Sequence, residues 1–388
     1  MLNISILIPL QEYLNSYRGG AIARWIWHVY TCKKADYQFN ILGRILNDEH
    51  DFQNTDSLTV VSKYNHLLNI LTRLPIVRNI LKPYISSIYL KIYKKNILAS
   101  DILEIHNSIE YVSKIRDLKF SGKIILHMHN DYLNKLTKES LTTLSNQVDL
   151  LILPSKALKN EFLSIHPEFT QSIEVVHNGY DPKNFFPQKE ITSKPNPTIG
   201  YVGRFDKNKN ILNLLDIYTV LLENIPNLEF YLIGSGKSGG VENKYQRLVS
   251  KKIKKINSQN GNIKYLGYIH NDGLNKYYNL FDLFISLPVD SEAFGMTFVE
   301  ALACKTLCIG TNLGGIPEAI GCTELLVNNP RDHTEVTEKI SKILSNKSLQ
   351  KSLVEKAFKY VSTRFQWEAI RAEQFKVLNK LQKDFTYA

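Results

Sequence analysis

Residues 188–210 read QKEITSKPNPTIGYVGRFDKNKN. A polar, proline-bearing stretch gives way to TIGYVG, a β-branched run closed by glycine, and then to a basic loop. Polar sequence with proline interrupts regular structure, so a linker is expected at 188–196 and a fresh strand after it. The same rhythm extends in both directions. Upstream, ISILIPL, FNILG, LTVVS, DILEI, KIILHMH, DLLILP and IEVVHNG are strand candidates; downstream, LEFYLIG, NIKYLG, LFISL, TLCIG and ELLVN follow. Amphipathic stretches separate most of them. That alternation implies parallel sheets covered on both faces, an α/β class. At 388 residues the chain exceeds one ordinary core. Two doubly wound domains are therefore expected, 1–187 and 197–362, with ligands bound outside the carboxyl ends of their strands in a cleft.

Composition narrows the class. The hydrophobic fraction is 44%, and no apolar run approaches the roughly 20 residues of a bilayer span. The opening MLNISILIPLQEY lacks a basic leader and a small-residue cleavage site, so it reads as a buried strand and the protein as cytoplasmic. Cysteines 32, 304, 308 and 322 form no CxxC pair, which fits reduced thiols in that compartment. The formal charge is +11, and residues 63–97 carry seven Lys or Arg and no acid: Lys63, Arg73, Arg78, Lys82, Lys91, Lys94 and Lys95. Apolar residues interleave at helical spacing. Such a segment can dock peripherally on an anionic membrane surface. It can equally be a core-packed helix pair with a solvated basic face. Nucleic acid is not expected as a partner, because no recognised binding motif accompanies the charge.

Several motifs fall at strand ends. In YVGRFDKNKN, Gly203 lets the backbone turn, and Arg204 and Lys209 can converge on one diphosphate. As an isolated stretch it could also be a basic surface loop. LIGSGKSGG, 232–240, spaces Gly234, Gly236 and Gly239 like a dinucleotide fingerprint, yet no acid follows on the next strand, and Tyr231 stands where a P-loop needs glycine. A glycine turn near a phosphate is what remains. SEAFGMTFVEALAC, 291–304, places Glu292 before a tight turn and Glu300 beyond it. A helix starting near Gly295 or Met296 presents the N–H groups of its first residues, Thr297 among them, to a ligand. The two carboxylates then suit two clamps on one long substrate. A lone glutamate there would instead be helix-end electrostatics. RGGAIAR, 18–24, offers Gly19 and Gly20 to a phosphate. LHMHND, 126–131, puts His127 and His129 on one strand face, too few ligands for a metal without a third. HNGYD, 177–181, suits a bend at the domain junction.

Together these pieces resemble glycosyltransferase family four, retaining enzymes of GT-B architecture. The paired glutamates with seven residues between are its signature, met by Glu292 and Glu300. Its G-x-R followed by lysine matches Gly203, Arg204 and Lys209; HNGYDPKNF, Gly19–Gly20 and GGIPEAIG, 314–321, match further pieces. FQWEAI resembles the start of a C-terminal helix, 363–388, that crosses back to the first domain. The resemblance implies an acceptor-binding first domain and a nucleotide-sugar-binding second one. Arg204 and Lys209 would hold the diphosphate and Glu300 the ribose. Glu292, with the N–H groups of Phe294 and Gly295, would hold the donor sugar, and His129 would lie near sugar and acceptor. The implied reaction is metal-independent hexosyl transfer with retention, from a nucleotide-sugar (UDP-sugar ahead of GDP-sugar) to a glycan or lipid-linked acceptor of a bacterial surface polysaccharide or lipopolysaccharide. No cofactor is implied. Ala293 departs from the family's E-G-F-G, and the D-x-E of Asp290 and Glu292 is read as coincidence. Two other readings stay open: a nonhydrolysing sugar-nucleotide epimerase and a non-catalytic nucleotide-sugar-binding subunit.

Overall fold

The computed structural model describes residues 1–10, 12–14, 20–31, 37–45, 58–62, 75–188, 195–238 and 241–386, with side chains for all but 45, 75–83, 237–238, 241–242 and 384–386. Arg18, Gly19, Cys32, Gly239, the basic residues Lys63 and Arg73, and linker residues 189–194 lie outside that set. The chain forms two compact units, Met1–His177 with Ile370–Ala388, and Asn178–Ala369. The division falls at His177, within the HNGYD stretch, rather than at 187.

The first unit is built on β1 (Leu2–Leu7), β2 (Tyr37–Leu42), β3 (Leu58–Val61), β4 (Ile102–His106), β5 (Lys123–His127), β6 (Leu150–Leu153) and β7 (Ser172–Val175). They form one parallel sheet in the order β3-β2-β1-β4-β5-β6-β7. Helices α1 (Ala21–Tyr30), α2 (Pro75–Ile92), α3 (Lys94–Leu98), α4 (Ile109–Asp117), α5 (Lys138–Ser145) and α6 (Lys156–Ile165) connect the strands. Strands buried on both faces read as continuous apolar runs. Accordingly Ile4, Ile6, Phe39, Ile41, Leu103, Ile105, Ile124 and Leu151 are all fully buried. Each such side chain contributes about 1.5–3 kcal/mol. Strand order reverses between β1 and β4, the usual place for a ligand in an open parallel sheet.

The second unit repeats the plan with β8 (Thr198–Val202), α7 (Ile211–Asn224), β9 (Glu229–Ile233), α8 (Lys244–Asn257), β10 (Ile263–Gly267), α9 (Asn275–Leu280), β11 (Leu283–Ser286), α10 (Met296–Ala303), β12 (Leu307–Thr311), α11 (Ile316–Ile320) and β13 (Leu326–Val327). Then come α12 (His333–Ser345), α13 (Lys347–Arg364) and α14 (Trp367–Thr386). The sheet is parallel, ordered β10-β9-β8-β11-β12-β13, with its reversal between β8 and β11. The sequence-derived strand candidates all carry strands. LIGSGKSGG does not lead straight into a helix: Lys237–Ser238 pairs antiparallel with Val241–Glu242, and α8 starts only at Lys244.

The end of the chain completes the first unit. Gln374 donates to Glu104 at 3.0 Å and to the Tyr30 hydroxyl at 2.7 Å. Arg371 donates to the His28 carbonyl, and the Tyr37 hydroxyl reaches Gln382 at 3.1 Å. Phe375 packs against Tyr37 and Phe39.

Candidate active site

The reversal point of the second sheet gathers most of the residues singled out from sequence. Gly203 and Arg204 leave the end of β8. Asp206 caps the short 3-10 turn Lys207–Lys209, accepting from the Lys209 backbone N–H at 3.2 Å. The Val289 N–H donates to the Asn208 carbonyl at 2.9 Å, which ties this loop to the one after β11. The result is an ion pair between residues 83 apart in sequence: the Lys209 ammonium donates to the Glu292 carboxylate. Arg204 stays 82% exposed, 3.7 Å from Asp206. The buried Tyr201 hydroxyl donates to the Arg204 carbonyl at 2.9 Å. Burial raises its pKa first, and the charges of Asp206 and Glu292 raise it further, while Arg204 opposes them. All four side chains thus act on one sheet end.

Glycines set the backbone here. At Gly234, φ is +131°, and a Cβ would run into the Gly203 carbonyl. The ends of β8 and β9 therefore approach closer than any side chain allows. Gly295 is the N-cap of α10 at φ +101°, with Phe294 buried before it and Met296 and Thr297 partly exposed after it. Its helix places Glu300 one turn in, 3% exposed, accepting from the Tyr278 hydroxyl at 3.0 Å. Beneath the Glu292 loop, the Gly315 N–H donates to the Glu292 carbonyl at 2.7 Å. A Cβ on Gly314 or Gly315 would meet that loop's backbone at 2.5 Å.

In the first unit, Gly20 caps the N-terminus of α1, where a phosphate was expected. The Glu12 carboxylate sits there instead. Its pKa is raised by burial, which the Ala23 and Gly20 N–H groups and Arg24 oppose. His127 and His129 share a face as expected, and the structure supplies a third imidazole that sequence reading missed. His106 on β4 lies in register with His127 on β5. The three rings stack within 4.4–5.2 Å of one another and pack against Trp25. One nitrogen from each falls within 4.8 Å of the others. Glu104, buried behind them, accepts from His127 Nδ1 at 2.9 Å. Alternation along EIH could have placed Glu104 and His106 on one face, but only strand register brings them to His127. Cys304, Cys308 and Cys322 are buried and unbridged. Burial and Glu324 push the Cys322 thiol up to about 11, a poor nucleophile.

Two doubly wound parallel sheets, one carrying a cation–carboxylate rim at its reversal point, define the GT-B class of glycosyltransferases. Residues 182–360 match the family model for glycosyl transferases group 1. The chain is a GT-B glycosyltransferase whose second unit carries that domain. It is 26% identical to the lipopolysaccharide 1,2-N-acetylglucosaminetransferase of Salmonella typhimurium, over 71% of each chain. Among solved structures it is similar in fold to the sucrose-phosphate synthase of Thermosynechococcus elongatus (TM-score 0.75, 17% identity, covering 99% of this chain and 100% of that one). Anabaena HepE in complex with UDP and glucose is likewise similar (TM-score 0.70, 17% identity, 98% and 100%).

Proposed function

We propose that this chain is a retaining, metal-independent hexosyltransferase of family four. It moves a sugar from a nucleotide diphosphate, UDP-sugar ahead of GDP-sugar, to a glycan or lipid-linked acceptor in bacterial surface polysaccharide or lipopolysaccharide synthesis. The observation that carries the reading is the Lys209–Glu292 ion pair at the reversal point of the second sheet. Breaking a sugar–phosphate bond puts positive character on the anomeric carbon and negative charge on the departing diphosphate. Cations fixed in advance act where that charge grows. Lys209 exchanges Glu292 for the diphosphate, Arg204 swings onto it, and Glu292 is released to sugar hydroxyls. Glu300, steadied by Tyr278, takes the ribose. The N–H groups at Phe294, Gly295, Met296 and Thr297 hold the donor. Gly203 and Gly234 give the backbone clearance beside it, and Gly19 and Gly20 approach the phosphates from the first unit. His129 meets the sugar or acceptor. Retention follows from attack on the face the diphosphate leaves, with the departing phosphate taking the acceptor's proton.

The names of relatives support the substrate class, since the Salmonella protein acts on lipopolysaccharide by its name, and HepE was solved with UDP and glucose. The α2–α3 segment supports a peripheral cytoplasmic-membrane location. Its inner face, Ile85, Tyr89, Leu90, Tyr93 and Ile97, is buried, while Tyr84, Ile88 and Leu98 lie exposed with Lys91, Lys94 and Lys95. No helix among the described residues is long and apolar enough to cross a membrane. The test is a thermal-shift screen of UDP-, GDP- and ADP-sugars, followed by donor turnover with and without EDTA. A donor that raises the melting temperature and is slowly hydrolysed, EDTA notwithstanding, is the expected outcome. An isomerised donor makes the protein an epimerase, and binding without turnover makes it a binding subunit. Proton NMR of the product linkage reads the anomer, and inversion ends the retaining claim. Pelleting with phosphatidylglycerol vesicles but not with phosphatidylcholine vesicles is expected; no pelleting with either removes the membrane.

A further inference from the structure

The carboxyl end of the first sheet buries a carboxylate where apolar side chains would be expected. Glu104 is fully buried. It accepts from the Tyr30 hydroxyl, from Gln374 at 3.0 Å and from His127 Nδ1 at 2.9 Å. Its oxygen also lies 3.1 Å from His106 Nε2, off the line of a straight hydrogen bond. His106 Nδ1 in turn lies 2.9 Å from Nε2 of His129. The Asn107 side chain accepts from the His129 backbone N–H at 2.7 Å and holds the residue at that spacing. The groups run in one line from the buried carboxylate to the half-buried His129.

We propose that Glu104, acting through His106, fixes the proton of His129 on Nε2 and leaves its Nδ1 as a hydrogen-bond acceptor for a hydroxyl of the sugar or acceptor. That role for His129 rests on the transferase reading above. The logic is one of donors and acceptors. An ionised carboxylate only accepts, so it draws a proton onto the nitrogen of His106 that faces it. A neutral imidazole then carries its lone pair on Nδ1. Two lone pairs do not face each other across 2.9 Å, so Nε2 of His129 must donate, and Nδ1 keeps its lone pair. Burial alone would raise the Glu104 carboxyl, but its bonds to His106 and His127 outweigh burial and hold it ionised. His127 is lowered to about 4 by burial, against the pull of Glu104, and is neutral at pH 7. The three rings also form a plausible metal cluster by distance alone. Their planes, however, are tilted by only 8–24°. Stacked rings set their nitrogens side by side instead of aiming three lone pairs at one point, which favours the relay.

The test uses the full chain with 15N-labelled histidine. Long-range proton–nitrogen NMR reads which nitrogen of each ring is protonated. In the wild type both His106 and His129 should carry the proton on Nε2. Glu104→Gln keeps the shape but adds donors. Tyr30, Gln374 and His127 all donate toward this side chain and retain its oxygen, which turns the amide N–H groups toward His106. Both rings should then flip to Nδ1–H, and turnover should fall about tenfold, the loss of one hydrogen bond, with the donor KM little changed. A wild-type His106 protonated on Nδ1 overturns the proposal without any variant. So do unflipped rings, or unchanged turnover, in Glu104→Gln. If added Zn²⁺ moves all three sets of ring signals and EDTA restores them, the cluster is a metal site and the relay is wrong. If no nucleotide-sugar is ever turned over, the transferase reading fails while the wild-type spectrum still judges the relay.

Discussion

The two sheets share a strand plan and differ at their reversal points. The second unit arms its sheet end with fixed charge: Arg204 in solvent, Lys209 on Glu292, Asp206 beneath. The first unit arms its own with imidazoles around one buried carboxylate, a set that handles protons at little net charge. A diphosphate needs the first kind of environment. A neutral hydroxyl needs the second. The same topology thus serves two chemistries by what stands at the strand ends, since fold alone does not dictate function.

Four measurements press on that contrast. The largest effect is expected where backbone, not charge, shapes the second rim. Gly234→Ala must place a Cβ into the Gly203 carbonyl at a φ side chains avoid, and should cost about 3 kcal/mol in urea denaturation. A neutral result would show the rim to be pliable. Next, Arg204→Ala and Lys209→Ala should each slow transfer roughly ten- to hundredfold, the worth of one charge-assisted bond of about 1.5–3 kcal/mol, with melting temperature unchanged. Wild-type rates in either would strip the rim of its assigned role.

The third concerns the imidazole side. His127 titrates near 4 in the folded chain against an ordinary 6.5, chiefly through burial. Between those values the unfolded chain holds the extra proton. Stability is therefore full above about pH 6.5 and falls as pH drops toward 4. The loss from pH 7 to pH 5 should be about 2 kcal/mol. Comparing urea melts of wild type and His127→Gln at both pH values checks this, and equal slopes would separate His127 from the effect. Smallest is Tyr278→Phe, which leaves Glu300 without its 3.0 Å donor. It should weaken nucleotide binding about fivefold, near 1 kcal/mol, with the diphosphate contacts intact; unaltered titration curves would show that Tyr278 does not steady Glu300.

Much of the fold was legible, because parallel strands buried on both faces write themselves as unbroken β-branched runs such as TIGYVG and DLLILP. The helix start at Gly295 and the two glutamates were legible from spacing. The Lys209–Glu292 pairing was not, since it depends on how two loops fold over one sheet end. The histidine cluster was half legible: His127 and His129 follow from alternation, whereas His106 enters only through the register of β4 on β5. The division at His177 was hidden because the polar proline stretch that marks a break to the eye lies beyond the last contacts of the first unit.

One consequence concerns biosynthesis. The amide that bonds Glu104, the ring stacked on Phe39 and the partners of Tyr37 all come from beyond Ile370. A ribosome delivers the amino-terminal sheet early, yet the pieces that seal its interior emerge last. The carboxyl-terminal module can settle first, and shortening the final helix should injure the opposite end of the gene product.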